Sequence, residues 1–400
     1  MAYQPPQKIL DKYADLLVNF ALGGGKGVKP GEVVFLQVPE CAKPMLAPLQ
    51  RAVLKAKAHA IIQYLPEGIS RDFFEIGSEK QFTYFPKKFM KSRVDTIDHN
   101  ISIISETNPH ELEGINPKKI MARQNAWKPY LDWINEKENK KKFTWTLALY
   151  GTEGMAKEAK MTLKEYWAEI IKACYLDNPN PIKKWKEISA EVNRIKSKLD
   201  KLKIKKVRVE ARGTDLTIGI GKKRKWCGCE GRNIPSFEIY TSPDCRDING
   251  HISFNVPLYR FGNLIKDIQL DIEHGKIVRA KAKQGEKFLK EMIKTPGGDH
   301  IGEFSMTDKR LSRITKYMAT TLFDENVGGK FGNSHLALGK SLWNTYDGDL
   351  SKTSKGALMK LGFNDSPIHV DIFNTENRKV TATLEGGKEV VIYKDGKFQV

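Results

Sequence analysis

Cysteines and long apolar runs are both scarce in this sequence of 400 residues. Its five cysteines are an odd number and are scattered along the chain, which argues against a framework of disulfide bonds. No apolar stretch approaches the roughly 20 residues that a membrane-spanning helix requires. The first residues contain no basic region followed by a hydrophobic one, so we expect no secretory signal. These absences predict a cytoplasmic protein with free thiols and no membrane contact.

Several familiar catalytic signatures are absent as well. The zinc-peptidase pattern His-Glu-x-x-His is missing, because the nearest match, at His110, lacks the second histidine. No Gly-x-Ser-x-Gly occurs, which argues against a serine hydrolase. Residues 338–341 end like a phosphate-binding loop, but Ser334 stands where the first glycine of that loop is required. Cys227 and Cys229 are separated by one residue and have no second pair, so we interpret them as free thiols and not as zinc ligands.

Acidic residues are outnumbered, with 48 Asp and Glu against 67 Lys and Arg and a formal net charge of +19. Such an excess of positive charge would attract nucleic acid. The lysines are dispersed, however, and their short clusters, such as residues 140–142 and 222–225, are not interleaved with aromatic side chains. We therefore favour a lysine-rich solvated surface and expect no nucleic-acid partner, while a basic nucleic-acid-binding protein stays the alternative function.

Hydrophobic patterns divide the chain into two kinds of region. The apolar residues 33–36, a helical pattern over 44–59 and the strand-like residues 60–62 predict a strand–helix–strand unit with a parallel sheet. Beyond residue 204 the segments are short and β-rich, and turns at 274–275 and 386–387 predict two hairpins. We therefore predict an α/β fold with an N-terminal α/β domain (residues 1–203, including a helical segment) and a C-terminal mixed α+β domain (residues 204–400) rich in antiparallel strands.

An apolar stripe runs along the helix that is predicted to begin at Pro181. This spacing suits either a seam for a partner helix or a face that packs on its own domain, and we favour the second. The residues of the stripe lie three or four positions apart: Trp185, Ile188, Val192, Ile195, Leu199 and Leu202.

The second half also contains a set of candidate metal ligands without any thiolate. Four carboxylates and two imidazoles suit two hard or borderline divalent ions that share a carboxylate. Two of these residues are two apart in a strand-like segment and therefore point to one face. For any single carboxylate, a hydrogen-bonded structural role explains the pattern at least as well. The candidates are Glu238, Glu303, Glu325, His335, His369 and Asp371.

Taken in order, the segments that carry these residues resemble the thermophilic aminopeptidase family, also called the aminopeptidase T family of dinuclear metallopeptidases. The resemblance covers most of the chain and begins with residues 10–18 and 28–34. The more specific matches are residues 230–240, 302–304, 322–326, 334–339 and 369–371. Their order and approximate spacing match those of the family.

The resemblance implies an aminopeptidase that hydrolyses the N-terminal peptide bond of peptides through a water bridged by two divalent cations (zinc, cobalt or manganese). It also implies that residues 204–400 are the catalytic, metal-binding domain. Glu303 falls at the position of the bridging carboxylate, and the other five candidates fall at the remaining ligand positions. Similar enzymes form homodimers whose N-terminal domains restrict access to the site.

Two departures from the family pattern concern the groups around the metals. The family places a tyrosine seven residues after the motif histidine, where this chain has Leu342. We predict that Tyr346, four residues further on, takes its place as a catalytic residue beside Glu303. The segment between Glu325 and His335 is longer than in the family and rich in glycine. A catalytically weak, divergent member of the family is therefore a further alternative.

Overall fold

The computed structural model describes residues 3–400, and its first half alternates strands with helices. The strands are β1 (Val33–Pro39), β2 (His59–Leu65), β3 (His99–Ile104) and β4 (Thr144–Leu149). The helices are α1 (Gln7–Leu16), α2 (Leu46–Lys55), α3 (Ser70–Glu75), α4 (Glu79–Phe82), α5 (Lys87–Thr96), α6 (Pro117–Ala126), α7 (Lys128–Asn139), α8 (Glu153–Glu158), α9 (Leu163–Ala173) and α10 (Pro181–Lys201). The four strands are parallel in the order β2-β1-β3-β4, which confirms the predicted strand–helix–strand unit.

The second half consists mainly of strands, and all of them except β7 form antiparallel pairs. These are β5 (Ile204–Ala211), β6 (Thr214–Gly219), β7 (Asn233–Ile234), β8 (Glu238–Thr241), β9 (Ile248–Phe254), β10 (Leu258–Arg260), β11 (Asn263–Ile265), β12 (Ile268–Glu273), β13 (Lys276–Lys281), β14 (Ile301–Thr307), β15 (Asn333–Gly339), β16 (His369–Asn374), β17 (Arg378–Leu384), β18 (Glu389–Lys394) and β19 (Lys397–Phe398). Three short helices interrupt them: α11 (Glu286–Ile293), α12 (Thr321–Asp324) and α13 (Lys355–Lys360).

Twelve of these strands form an eight-stranded sheet, in the order β13-β12-β9-β6-β5-β17-β18-β19, and a four-stranded sheet, in the order β16-β15-β14-β8, while β10 and β11 pair with each other. Both predicted hairpins are present, as β12–β13 and β17–β18. Gly386 and Gly387 both have positive φ in the second turn, a conformation that glycine adopts without steric cost. The predicted fold class, a parallel α/β region followed by a mixed region rich in antiparallel strands, is confirmed.

The apolar stripe of α10 packs inside the protein. Asn180 caps the helix by accepting a hydrogen bond from the backbone N–H of Lys183, and the first five stripe residues are buried. The ring of Trp185 stacks on that of Phe237, with centroids 5.3 Å apart. Because Phe237 directly precedes Glu238, this stacking connects α10 to the strand that carries the first candidate ligand.

The two halves share structure across the predicted domain boundary. α10 ends at Lys201 and β5 begins at Ile204, close to the predicted limit. However, the short strand β7 joins the parallel sheet beside β4, and one apolar core includes residues from both halves. The division at residues 203 and 204 stays a prediction. Within residues 3–400, no helix is long and apolar enough to cross a membrane.

Candidate metal centre

Five of the six candidate ligands lie on one face of the four-stranded sheet. Glu303 of β14 pairs with Ala337 of β15, which pairs with Asp371 of β16. On the other side of β14, Thr307 pairs with Glu238 of β8. Paired residues point to the same face, and so do residues two apart along a strand. The face therefore carries Glu238, Glu303, His335, His369 and Asp371.

Glu325 approaches this face from outside the sheet. It follows α12 directly, and its side chain is buried. Asn233 donates a hydrogen bond from Nδ2 to Oε1 of Glu325 over 2.9 Å, and Asn326 donates another over 3.3 Å. These two amides hold the carboxylate in a fixed position. The structure thus brings all six candidate ligands to one buried region.

Two groups of ligand atoms share Glu303. In the first, Glu303 lies with Glu238 and His335, and in the second, with His369 and Asp371. Within each group, one ligand atom from every residue lies within 4.8 Å of the others. Oε1 of Glu303 is 3.3 Å from Nε2 of His335, whereas Oε2 is 3.1 Å from Nε2 of His369. The two oxygens of one carboxylate therefore face different histidines, as a bridging ligand requires.

The two imidazoles are oriented by different means. His369 donates from Nδ1 to the backbone carbonyl of Lys340, so its Nε2 is directed at the carboxylates. The ring of His335 lies nearly perpendicular to that of Phe373, with centroids 6.0 Å apart. Nδ1 of His335 is buried and has no hydrogen-bond partner among residues 3–400. Nε2 of each ring faces the carboxylates and is thus available to an ion between them.

Negative charge accumulates at the inner part of the site. Burial raises the pKa of Glu325 well above its usual value, and the charges of Glu238, Asp371 and Glu303 raise it further. Burial and the charge of Glu303 also raise the pKa of Glu238 to about 7. Divalent cations among these oxygens would offset the repulsion and the loss of hydration that cause both shifts. The donor set of oxygens and imidazole nitrogens fits such ions.

The neighbouring carboxylates also shift the pKa values of the two histidines. Burial alone would lower the pKa of His335, but Glu303 and Glu238 raise it to about 9. Burial would likewise lower the pKa of His369, whereas Asp371 and Glu303 raise it well above its usual value. In return, His369 holds the pKa of Asp371 at about 2, against the effect of burial. The carboxylates around both rings therefore favour positive charge at this place, which is the charge that divalent cations would supply.

The chain matches the sequence model of family M29, described as thermophilic metalloprotease, over residues 6–398. The chain belongs to this family. The match confirms the resemblance drawn from the five motifs, and membership makes the chain a metallopeptidase.

Curated relatives and one solved structure agree with this assignment. The chain is 26% identical to aminopeptidase AmpS of Bacillus subtilis over 97% of this chain and 98% of the relative. It is also 26% identical to aminopeptidase T of Thermus thermophilus, over 74% of this chain and 76% of the relative. The structure of wild-type AmpT from Thermus thermophilus superposes with a TM-score of 0.82 at 21% identity, covering 98% of this chain and 100% of that one. This likeness shows that the two proteins share a fold.

Tyr346, the predicted catalytic tyrosine, lies apart from the six ligands in a small apolar cluster with Leu358 and Phe363. Its ring packs edge-on against Phe363, with centroids 6.2 Å apart. Within residues 3–400, its hydroxyl makes no hydrogen bond to any of the six. Leu342, at the family position of the tyrosine, lines the neighbouring cleft. The structure brings together the ligands but not Tyr346, whose catalytic role stays a prediction.

Several polar neighbours of the ligands were not predicted from the sequence. Ser236 and Ser305 donate hydrogen bonds to Glu238, and Asn233 donates to Glu325. Ser305 lies two residues after Glu303, so strand alternation alone would have placed it on the metal face. Nothing in the local sequence identifies Asn233, because its contact depends on how β7 meets the turn after α12.

A cleft of about 990 Å³ extends from His369 between the two halves of the chain. One wall comes from α7 and β4 in the first half, and the other comes from the segment after β15. Aromatic and charged side chains line it together. They include Trp145, Glu138, Arg232, Lys340, Trp343 and Asn344.

Proposed function

We propose that this protein is a metal-dependent aminopeptidase that removes N-terminal residues from peptides at the candidate metal centre. The observation that carries the proposal is the pair of ligand groups that share Glu303. Membership of a metalloprotease family and the names of the aminopeptidase relatives support it. The long cleft beside His369 offers room for a peptide.

The six candidate ligands would hold two divalent ions. Glu238 and His335 would bind one ion, and His369 and Asp371 the other, with Glu303 shared by both. Glu325 would complete the set from the side of Glu238. Once bound, zinc, cobalt or manganese ions would polarise the scissile carbonyl and lower the pKa of a water that bridges them.

The protein itself contributes a buried site with an excess of carboxylates at the inner end of a cleft. Glu303 and His335 are each 2% exposed, so bulk water has little access to them. One bound ion would polarise the scissile carbonyl, and the other would receive the free α-amino group of the peptide. This contact would favour cleavage next to an amino terminus over cleavage within a chain.

We also propose a homodimer in the cytoplasm. β2 forms one edge of the parallel sheet and exposes Ile61, Ile62 and Tyr64 by 40%, 43% and 41%. An apolar edge strand of this kind is typical of a surface that a partner covers. All five cysteines lie within the described residues and are free, which suits a reducing compartment.

Metal analysis combined with an activity panel tests the proposal. Protein purified without an affinity tag should contain about two divalent ions per chain and release N-terminal residues from amino-acid amides and short peptides. A chelator should abolish this activity, and zinc, cobalt or manganese should restore it. Matched peptides with an acetylated amino terminus should resist cleavage.

Two other outcomes have distinct meanings. Fewer than one ion per chain, with no gain of activity on adding metal, would contradict the proposal. Two bound ions without turnover on any substrate of the panel would identify a catalytically weak member of the family instead.

A further inference from the structure

Tyr240 shares the metal face of the four-stranded sheet. It lies two residues after Glu238 on β8, so both side chains point to the same side. Its partner across the sheet is Ser305, two residues from Glu303 on β14. Tyr240 and Glu303 are therefore diagonal neighbours, a relationship that long and aromatic side chains span. The ring of Tyr240 is 5% exposed, so the phenol is held in a buried position on this face.

The phenol oxygen of Tyr240 already accepts two hydrogen bonds. Asn344 donates from Nδ2 over 2.8 Å, and Arg232 donates from Nη1 over 3.2 Å. The same Nδ2 lies 3.2 Å from Oε2 of Glu230, which can only accept, so this contact fixes the orientation of the amide. The guanidinium of Arg232 has no acceptor atom. Both lone pairs of the phenol are thus occupied by donors.

The hydrogen of this phenol remains available. Among residues 3–400, no acceptor receives a hydrogen bond from the Tyr240 hydroxyl. A buried donor without an acceptor costs about 1–3 kcal/mol, and a catalytic role is one of the explanations for such a group in a native protein. Arg232 and Asn344, which hold the phenol oxygen, both line the cleft that ends at His369. The missing acceptor should therefore come from whatever occupies this cleft.

The O–H group of Tyr240 can pair only with a hydrogen-bond acceptor of a bound peptide. The free amino group of a bound peptide would be engaged at the metal centre, whereas the scissile carbonyl oxygen can accept a hydrogen bond. The guanidinium of Arg232 against the phenol oxygen strengthens donation by the opposite end of the O–H group. Tyr346, the tyrosine predicted from the sequence, packs on Phe363. Within the described residues it makes no hydrogen bond to any of the six candidate ligands.

We propose that Tyr240 is a catalytic residue whose phenol donates a hydrogen bond to the scissile carbonyl oxygen and stabilises the negative charge that this oxygen gains in the transition state. The inference rests on the proposed aminopeptidase function. The proton stays on Tyr240 throughout, so this step forms and breaks no covalent bond. The hydrogen bond strengthens as charge develops on the oxygen, so it lowers the barrier more than it improves substrate binding. Arg232 and Asn344 act as positioning residues that hold the phenol oxygen.

The test compares Tyr240→Phe with Tyr13→Phe. We expect Tyr240→Phe to lower kcat by about 10²-fold, as the loss of one oxyanion donor does, while KM and the metal content stay close to those of the wild type. Tyr13 is a buried tyrosine of α1 whose hydroxyl accepts a hydrogen bond from the backbone N–H of Leu149 over 3.1 Å. Its substitution removes a comparable hydroxyl from the first half of the chain, so kcat should remain within about twofold of wild type.

A binding measurement separates catalysis from structural support. Calorimetric titration with a phosphinic dipeptide, which resembles the tetrahedral transition state, should show about 10²-fold weaker binding to Tyr240→Phe. Binding of the free amino acid product should change by less than about threefold. If Tyr240 had only a structural role, its substitution would instead weaken the binding of both ligands and reduce the amount of bound metal.

Three results would overturn the inference. The first is an active wild type together with a Tyr240→Phe variant that retains kcat and affinity for the phosphinic dipeptide, which leaves the proposed function intact. The second is a Tyr240→Phe variant that loses affinity for both the phosphinic dipeptide and the amino acid product and also loses bound metal. The third is a wild type without metal-dependent turnover, which removes the proposed function and this inference with it.

Discussion

His369 donates a hydrogen bond from Nδ1 to the backbone carbonyl of Lys340 over 2.7 Å. A carbonyl can only accept, so this bond places a hydrogen on Nδ1 and directs Nε2 towards the carboxylates. Nε2 lies 3.1 Å from Glu303 and 3.2 Å from Asp371. Metal-bound histidines usually donate their second nitrogen to such a partner, which fixes the ring orientation and the tautomer. The backbone at Lys340 thus orients His369 so that Nε2 would face the ion that we propose at this place.

Replacing His369 by alanine should therefore remove one of two bound ions. The second ligand group would retain only Glu303 and Asp371, whereas the first group, with Glu238 and His335, would be complete. Elemental analysis after dialysis against metal-free buffer should give about one ion per chain, and turnover should fall with the loss. As a control, His251→Ala removes an exposed histidine of β9 and should leave about two ions. Two tightly bound ions in the His369 variant would contradict the assignment.

Glu303→Gln should be more damaging, because this carboxylate belongs to both ligand groups. A glutamine offers one oxygen and an N–H₂ group that cannot bind a cation, so only one ion can keep its contact. Loss of a residue in the outer shell of a metal site typically costs about 10–100-fold in affinity or activity. We expect a shared ligand to cost more than about 100-fold in kcat/KM.

The control for Glu303→Gln is Glu273→Gln, which neutralises an exposed carboxylate on β12. It should leave both kcat/KM and metal content unchanged. If Glu303→Gln keeps its hydrolytic activity, Glu303 is not the bridge, and the division of the ligands into two groups is wrong.

Strand alternation was sufficient to place His369 and Asp371 on one face, because that relationship is local and has a period of two. Their meeting with Glu303 depends on the register of β14, β15 and β16, in which Ala337 lies between Glu303 and Asp371. The register between strands that are distant in sequence cannot be predicted from local sequence patterns. Only the resemblance to a family therefore indicated that Glu303, His369 and Asp371 lie together. The position of Glu325, set by the turn after α12, depends equally on distant contacts.

The surroundings of the two tyrosines, in contrast, do not follow from a local sequence pattern. Tyr346 was predicted from its distance in sequence to His335, but the 3₁₀ turn at Trp343–Thr345 leads its ring to Phe363. Tyr240 was part of a recognised motif, yet its free hydroxyl follows from contacts with Arg232 and Asn344. These contacts join residues up to 104 positions apart. Spacing along the chain therefore indicates which segments form the site, whereas the environment of each hydroxyl depends on contacts between distant residues.

Arg232 is expected to contribute strongly to stability, because it joins the two halves of the chain. It contacts Glu138 of α7 over 3.0 Å and Glu230 over 2.6 Å, and its side chain is 24% exposed. Removing one partner of a largely buried ion pair leaves uncompensated charge, at a cost of about 3 kcal/mol. Urea unfolding of Arg232→Ala should show a loss of this order in the free energy of unfolding.

The control for Arg232→Ala is Arg194→Ala, which removes an exposed arginine that pairs with Glu191 on the same helix. Exposed pairs contribute little, so no measurable change in the unfolding free energy is expected. Equal effects of the two substitutions would show that burial of the Arg232 pairs does not govern their strength.

Asp365 should make stability depend on pH through its two lysines. It is 10% exposed and accepts from Lys128 of α7 over 2.9 Å and from Lys355 of α13 over 2.6 Å. Burial alone would raise the pKa of Asp365, but Lys355 and Lys128 lower it below its usual value. A carboxyl whose pKa is lower in the folded protein stabilises fully above its unfolded pKa of about 3.9. The contribution disappears as the pH falls through the lower folded value.

Asp365→Asn should therefore be less stable than the wild type by about 1–2 kcal/mol at pH 7, and this difference should shrink towards zero below about pH 4. Urea unfolding at several pH values between 3 and 8 measures the difference. Asp95→Asn is the matched control, because Asp95 is exposed and pairs with Lys91 one turn away on the same helix. It should give a small difference at every pH. A difference for Asp365→Asn that stays constant down to pH 3 would mean that its stabilising contacts do not depend on the ionised carboxylate.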